Sequence, residues 1–335
     1  DCPNQGGAAA FYLGTYPKID TIRGDFIVNN SNGKSIRFAI QNNTSYTATF
    51  KGNFEVKSTA TTIEMFSTAA PVGSPADGHW VFMKNVNILG QITPGNNTFA
   101  IRSLNFAGSA TGEGGTGPQS FAIGGITKPA TFDIFVMQNQ GNGIVLNSDV
   151  SQIKDLKFFY NTIDNKPSNI TIGNHHLTVG VNGGSITGGG GNGWIVTNGT
   201  GFLKAPVSAG FAKEFSVGVS QTSYDPAGVF SNTDDTFAIQ VKASFSHPGI
   251  KTDFVYDREW NIVSNSTDAQ VEFSPDPSAA TAPTATGDFV IGHYTGGSWT
   301  ETPAVCCGMA LGSEYAANFT SFSPFAVGIA TGFGA

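Results

Sequence analysis

Charge is scarce in this chain. Asp, Glu, Lys and Arg make up 12% of its 335 residues, about half the share usual in soluble domains. The formal net charge of −7 comes with no basic stripe to neutralise phosphates, which argues against nucleic acid as a partner. Cysteine is nearly missing: Cys2 stands near the start, and the adjacent pair Cys306 and Cys307 near the end. With no CxxC and no His-spaced set, a zinc site is not expected. No run of about 18 apolar residues occurs, so no helical membrane span is expected. GxSxG, HExxH, P-loop and strand-to-helix GxGxxG patterns are all lacking. So is any sustained helical periodicity.

What the chain does have is Gly, at 43 residues, and Phe, at 27. Hydrophobic content of 39% with β-branched alternation argues against the disorder that a Gly-rich composition would otherwise suggest. Residues 169–207 set the tone. Ile170 and Ile172 alternate with Thr171 and Gly173, and Leu177, Val179 and Val181 alternate again. Turns at Gly173-Asn174, Asn182-Gly183-Gly184, Gly188 to Gly193 and Asn198-Gly199 separate them. Strands this short cannot bury an apolar face alone and must stack on neighbours, as coils of a solenoid or as strands of a sandwich. The run Gly188 to Gly193 is not followed by a helix and reads as a turn rather than a phosphate cradle.

The expected fold class is all-β: a β-solenoid or β-sandwich N-terminal region followed by an immunoglobulin-like β-sandwich. Residues 1–20 read as an N-terminal arm whose cluster Phe11, Tyr12 and Leu13 would dock on something, a second subunit included. Residues 21–207 read as the solenoid or sandwich region, with irregular spacing between successive apolar segments and a candidate helical turn at Ser151 to Leu156. Gly108 to Gln119 reads as a surface loop, and its single Glu113 offers no ligand cluster. From 208 to 335 the strands lengthen and turn signals recur every 8–14 residues or so, the pattern of the sandwich.

Several phrases of the C-terminal part carry a resemblance. They include Glu214-Phe215-Ser216-Val217-Gly218, Tyr224-Asp225-Pro226 and Asp257-Arg258-Glu259-Trp260-Asn261-Ile262. His293 to Thr300 and Phe319 to Gly328 complete the set. Together with residues 169–207 they resemble secreted surface proteins of Bacteroidetes exported by the type IX secretion pathway. That resemblance covers roughly residues 130–335 and implies a cell-surface or extracellular location and an all-β fold. It names no function, since such proteins include adhesins, enzyme carriers and structural material. Asp20-Thr21-Ile22 fits the short O-glycosylation pattern of that phylum. The start at Asp1 rather than Met points to a removed leader, a secretory signal being the commonest reason. In an exported chain Cys2 is expected to pair with Cys306 or Cys307, within one subunit or across two; three reduced, buried cysteines is the other reading.

Candidate chemistry is thin. His175 and His176 are consecutive in an extended segment, so their rings point to opposite faces and cannot chelate one metal together. Asp149, Asp155 and Asp164, or Asp234, Asp235, Asp253 and Asp257, show no spacing that pairs two carboxylates for glycoside cleavage. Asp234 and Asp235 could bind Ca²⁺, a solvated turn being the simpler reading. Arg258 is expected to pair with a neighbouring carboxylate and Trp260 to fill the core. Trp80, Trp194 and Trp299 are the candidate stacking platforms for glycans. With no catalytic grouping, the sequence favours a secreted structural protein, not an enzyme, that polymerises with copies of itself into a filament, sheath or surface layer. An adhesin or carbohydrate-binding module is the alternative.

Overall fold

The computed structural model describes residues 9–12, 19–29, 36–41, 46–58, 62–69, 78–93, 101–109, 111–112, 117–126, 133–136, 143–160, 166–278, 280–305, 310–311 and 315–334. Cys2, Cys306, Cys307, Leu13, Glu113 and Asp164 lie outside them. Among the described residues the structure is all-β, with a single 3-10 turn at Val181–Gly183. The segment read as a helical turn is instead two strands, Val150–Ile153 and Asp155–Phe158. Leu156 and Phe158 alternate inward as in a strand, whereas the register shift between Val150 and Ile153 leaves Val150, Ile153 and Leu156, all buried, three residues apart, a spacing that imitates a helical turn.

Two compact units divide the chain: 1–171 with 175–193, and 172–174 with 194–335. The change of texture near residue 208 therefore falls inside the second unit, after the division.

The first unit is a β-solenoid of parallel strands. One sheet stacks Ile19–Ile22, Tyr46–Phe50, Gly78–Phe82, Ile101–Phe106, Asp133–Val136, Asp155–Phe158 and Ile186–Thr187 in that order. A second begins with Ala9–Tyr12 and Ile36–Gln41 and continues through Thr62–Ala69, Val86–Thr93, Gln119–Ile126 and Ile144–Leu146. Register offsets between coils run from 22 residues, Val136 beside Phe158, to 35, Val86 beside Phe121. Residues 9–12 are thus not a separate arm: they pair in register with Ile36 to Ala39 of the same chain.

Parallel coils leave backbone groups at their corners that no ladder satisfies, and Asx side chains fill that need here. Asp25 accepts the amide N–H of Asn53 at 2.7 Å, Asp149 that of His176 at 2.8 Å, and Asp155 that of Ser185 at 3.0 Å, each bond joining one coil to the next. Buried Gln119 does the same from inside. Its Nε2 donates to the carbonyls of Phe82 and Lys84 at 2.9 and 2.8 Å, and its Oε1 accepts from the N–H of Gly108 at 3.1 Å. Gly143 is required where two coils cross closely: its φ is +87°, and a Cβ there would lie 2.0 Å from the Asn169 carbonyl oxygen.

The interior is aromatic. Phe26 stacks on its register partner Phe54 at 5.1 Å, Phe50 on its partner Phe82 at 5.4 Å, and Phe82 meets its partner Phe106 at 5.7 Å. Phe106 continues to Phe121 at 4.9 Å, and Trp80 packs on Phe50 and Phe54.

The second unit holds the short parallel pair Ile195–Val196 and Val217–Gly218 and is otherwise built from antiparallel strands. One sheet orders Leu203–Val207, Asp235–Lys242, Glu259–Val263, Pro324–Ile329, Phe289–Thr295 and Ser298–Pro303. The other orders Phe211–Phe215, Ala227–Ser231, Ala269–Phe273 and Tyr315–Phe319. Their facing sides meet through Trp260 on Phe273 (4.8 Å), Phe273 on Phe325 (5.7 Å) and Phe319 on Phe325 (4.9 Å).

Candidate interaction surfaces

Among the described residues, the features of the first unit that are open on their outer side include two strand edges and a groove. The first two are the edges of its seven-stranded sheet. Ile19–Ile22 closes one end of that sheet and Ile186–Thr187 the other, and among the described residues neither is paired on its outer side. Thr21 and Thr187 are both exposed on these edges. The third is a groove of about 390 Å³ on the outer face of the other sheet. Along Val86–Thr93 the residues Val86 and Ile88 point inward, leaving Asn87 and Leu89 outside; Ser120 and Ala122 alternate with Gln119 and Phe121 in the same way. Ala122 is the register partner of Asn87, and on its other side Asn147 follows Leu146, the partner of Phe121. A methyl group between two carboxamides makes a trough.

The tryptophans read as glycan platforms are buried instead. Trp80, Trp194 and Trp299 are 1%, 5% and 7% exposed. Trp80 fills the aromatic interior, Trp194 donates its indole N–H to the Ser220 carbonyl at 2.8 Å, and Trp299 donates to that of Pro248 at 2.8 Å. A platform needs a solvent-facing ring, and none of the three has one. Of the assembly cluster, Phe11 and Tyr12 sit in the strand Ala9–Tyr12.

The titratable groups are taken up by structure. Asp234 accepts the N–H of Ala209 at 2.7 Å, while Asp235 accepts the Thr236 N–H and the Ser264 hydroxyl, so the two carboxylates serve separate corners. His175 approaches Asp149 at 3.6 Å. Among the described residues no group of three or more His, Cys, Asp or Glu converges, and no helix is long and apolar enough to cross a membrane. The half-buried Tyr224 phenol donates to Glu214; burial first, and then the Glu214 carboxylate, hold its pKa well above the ordinary value.

Ser246, His247 and Glu259 form a serine–histidine–carboxylate cluster. Glu259 is fully buried and accepts from the Ser246 N–H (3.0 Å), the Ser246 hydroxyl and His247 Nδ1 (3.1 Å). Ser246 Oγ also meets His247 at Nδ1, 3.2 Å away. A relay needs the serine on one ring nitrogen and the carboxylate on the other. Here both use the same nitrogen, which gives Ser246 no general base. The cluster clasps the loop onto the sheet.

His293 is 5% exposed, stacked 4.5 Å from Phe325, with its Nε2 unpartnered, and burial lowers its pKa below the ordinary value. The unfolded chain takes up a proton near pH 6.5 and the folded one only at lower pH. Stability is therefore complete above about 6.5 and falls as pH drops towards the folded pKa, by up to about 1.4 kcal/mol per pH unit. His293→Phe keeps the stacking and should flatten this part of the pH profile, as read by urea unfolding at pH 8 and pH 5; a profile unchanged from the wild type would exclude His293 as its source.

No family model, curated protein or solved structure matches this chain, so its function rests on the geometry and chemistry just described.

Proposed function

We propose that this is a secreted structural protein that assembles head to tail into an extracellular filament, sheath or surface layer. The supporting observation is the parallel sheet whose two ends, Ile19–Ile22 and Ile186–Thr187, are open among the described residues. A parallel sheet edge is complementary to its own opposite edge, so a second copy can continue it, and a head-to-tail contact that does not close on itself makes a polymer. This reading replaces a donated N-terminal arm with an edge that accepts a strand. The C-terminal unit, two antiparallel sheets in face contact, is taken as an immunoglobulin-like sandwich. The resemblance of its phrases to type IX-exported surface proteins of Bacteroidetes supports a location outside the cell.

Thr21→Lys and Thr187→Lys each place a charge on an exposed edge position, where the folded monomer tolerates it and an added strand does not. Each should raise the concentration needed for polymer by about tenfold or more, roughly 1.4 kcal/mol of contact, as followed by sedimentation velocity and negative-stain microscopy. Thr21→Lys combined with Thr187→Glu should recover polymer. Wild-type protein that remains monomeric at high concentration would remove the assembly reading altogether; polymer indifferent to all three variants would move the contact elsewhere.

A further inference from the structure

We infer that the groove around Ala122 is a binding site for a neutral oligosaccharide. This goes beyond self-assembly and does not depend on it. Adjacent strands lie about 4.8 Å apart, so Asn87 and Asn147, one strand to either side of Ala122, stand roughly 10 Å apart across the trough. The trough runs along the strands, with Ser120 one alternation back from Ala122 and Leu89 one alternation on from Asn87. Its volume of about 390 Å³ falls within the ~300–1,000 Å³ of small-ligand sites.

The lining chemistry selects the ligand class. Several asparagine side chains are spent on the fold: Asn53 donates to Asp25, Asn85 accepts the Ser120 N–H, and Asn174 accepts from Thr200. Among the described residues the carboxamides of Asn87 and Asn147 hold no such partner, and both residues line the groove. Each offers a donor and an acceptor side by side, the pairing that a vicinal diol satisfies from both of its hydroxyls. Ser120 and Ser148 add hydroxyls, and Leu89 with Ala122 supplies an apolar strip for the C–H face of a sugar ring. No charged side chain lines the groove. Of the nearest carboxylates, Glu55, the register partner of Asn87 on the next strand, is paired with Lys57 at 3.7 Å, and Asp149 accepts the His176 N–H. An anionic polymer would find no cation among the lining residues, the nearby Lys57 being paired with Glu55, and an apolar ligand would strand the amides without partners.

The test uses the full chain and saturation-transfer NMR with xylohexaose, cellohexaose, laminarihexaose and mannohexaose, and hexagalacturonate as the charged control. At least one neutral hexaose should bind with a dissociation constant of about 0.1–1 mM, since neutral hydrogen bonds contribute little net and no aromatic face is offered. Ala122→Trp fills the trough at a position where a strand accepts an aromatic residue and should weaken that binding at least tenfold. Asn147→Ala, at an exposed position beyond the strand end, should weaken it several-fold and serves as the deciding variant should Ala122→Trp lose its thermal transition. Thr21→Lys, outside the groove, should bind as the wild type does, which separates this site from the assembly edge. Silence from all four neutral sugars, binding indifferent to both groove variants, or an equal response to hexagalacturonate would each overturn the assignment.

Discussion

Replacing Arg258 with Met should destabilise the C-terminal unit by about 3–5 kcal/mol, because it leaves a carboxylate without its counter-charge in the interior. Arg258 is 3% exposed and Asp225 fully buried, with Nε 3.0 Å from Oδ1. The rest of the guanidinium is used as well: Nη2 donates to the Ser223 hydroxyl at 3.1 Å, and Nη1 to the carboxylate of Asp257 at 2.6 Å. Asp225 in turn accepts from Ser223 Oγ at 2.6 Å and from the Asp276 N–H at 3.0 Å, while its carbonyl receives the Trp260 indole N–H at 3.0 Å. The cluster thus ties the 223–226 turn, the strand carrying Trp260 and the 276 loop to one ion pair. Urea unfolding should show the lower midpoint with an unchanged slope. Asp225→Asn in the Arg258→Met background should recover part of the loss, since a neutral amide no longer requires a cation; the resulting double-mutant cycle measures the coupling. A cost below about 1 kcal/mol would mean that water reaches the pair and that the cluster is not a dry one.

Part of this was legible in the residues. Arg258 next to Asp257 and the burial of Trp260 follow from local pattern, as does the all-β character of the alternating, Gly-punctuated segments. Asp225 as the principal partner of Arg258 does not, because 33 positions separate the two and only the pairing of strands brings them together. The same limit hid Gln119, which looks like any surface glutamine until its bonds to carbonyls 35 and 37 residues away are seen. Unequal coils also mask the solenoid: with offsets from 22 to 35 residues no fixed period exists to be found. The groove is a further case, since Ala122 lies between Asn87 and Asn147 only in a particular register. The tryptophans misled for a different reason. A lone Trp in a low-charge chain reads as a platform, yet each of these indoles is buried, and those of Trp194 and Trp299 find carbonyl partners inside.

The abundance of Phe finds its explanation in the solenoid interior, and the second large effect is expected there. Phe82 is 1% exposed and meets Phe50, Phe54, Trp80 and Phe106 within 6.1 Å. Short parallel strands contribute few hydrogen bonds per coil, so the rings stacked from coil to coil carry much of the attachment of one coil to the next. Phe82→Ala removes a ring that several neighbours touch and leaves a cavity that a stacked array cannot close by collapse. The expected loss is about 3–5 kcal/mol. Phe82→Leu, which restores most of the volume without the ring, should cost clearly less, and the difference between the two variants reports the cavity. Because each coil rests only on its neighbours, the loss should appear first as local opening: amide exchange in Tyr46–Phe50 and Ile101–Phe106 should accelerate well before exchange in the C-terminal unit changes. Uniform acceleration across the whole chain would show instead that the two units unfold together, and an Ala variant as stable as the Leu variant would show that the ring stack contributes no more than ordinary apolar burial.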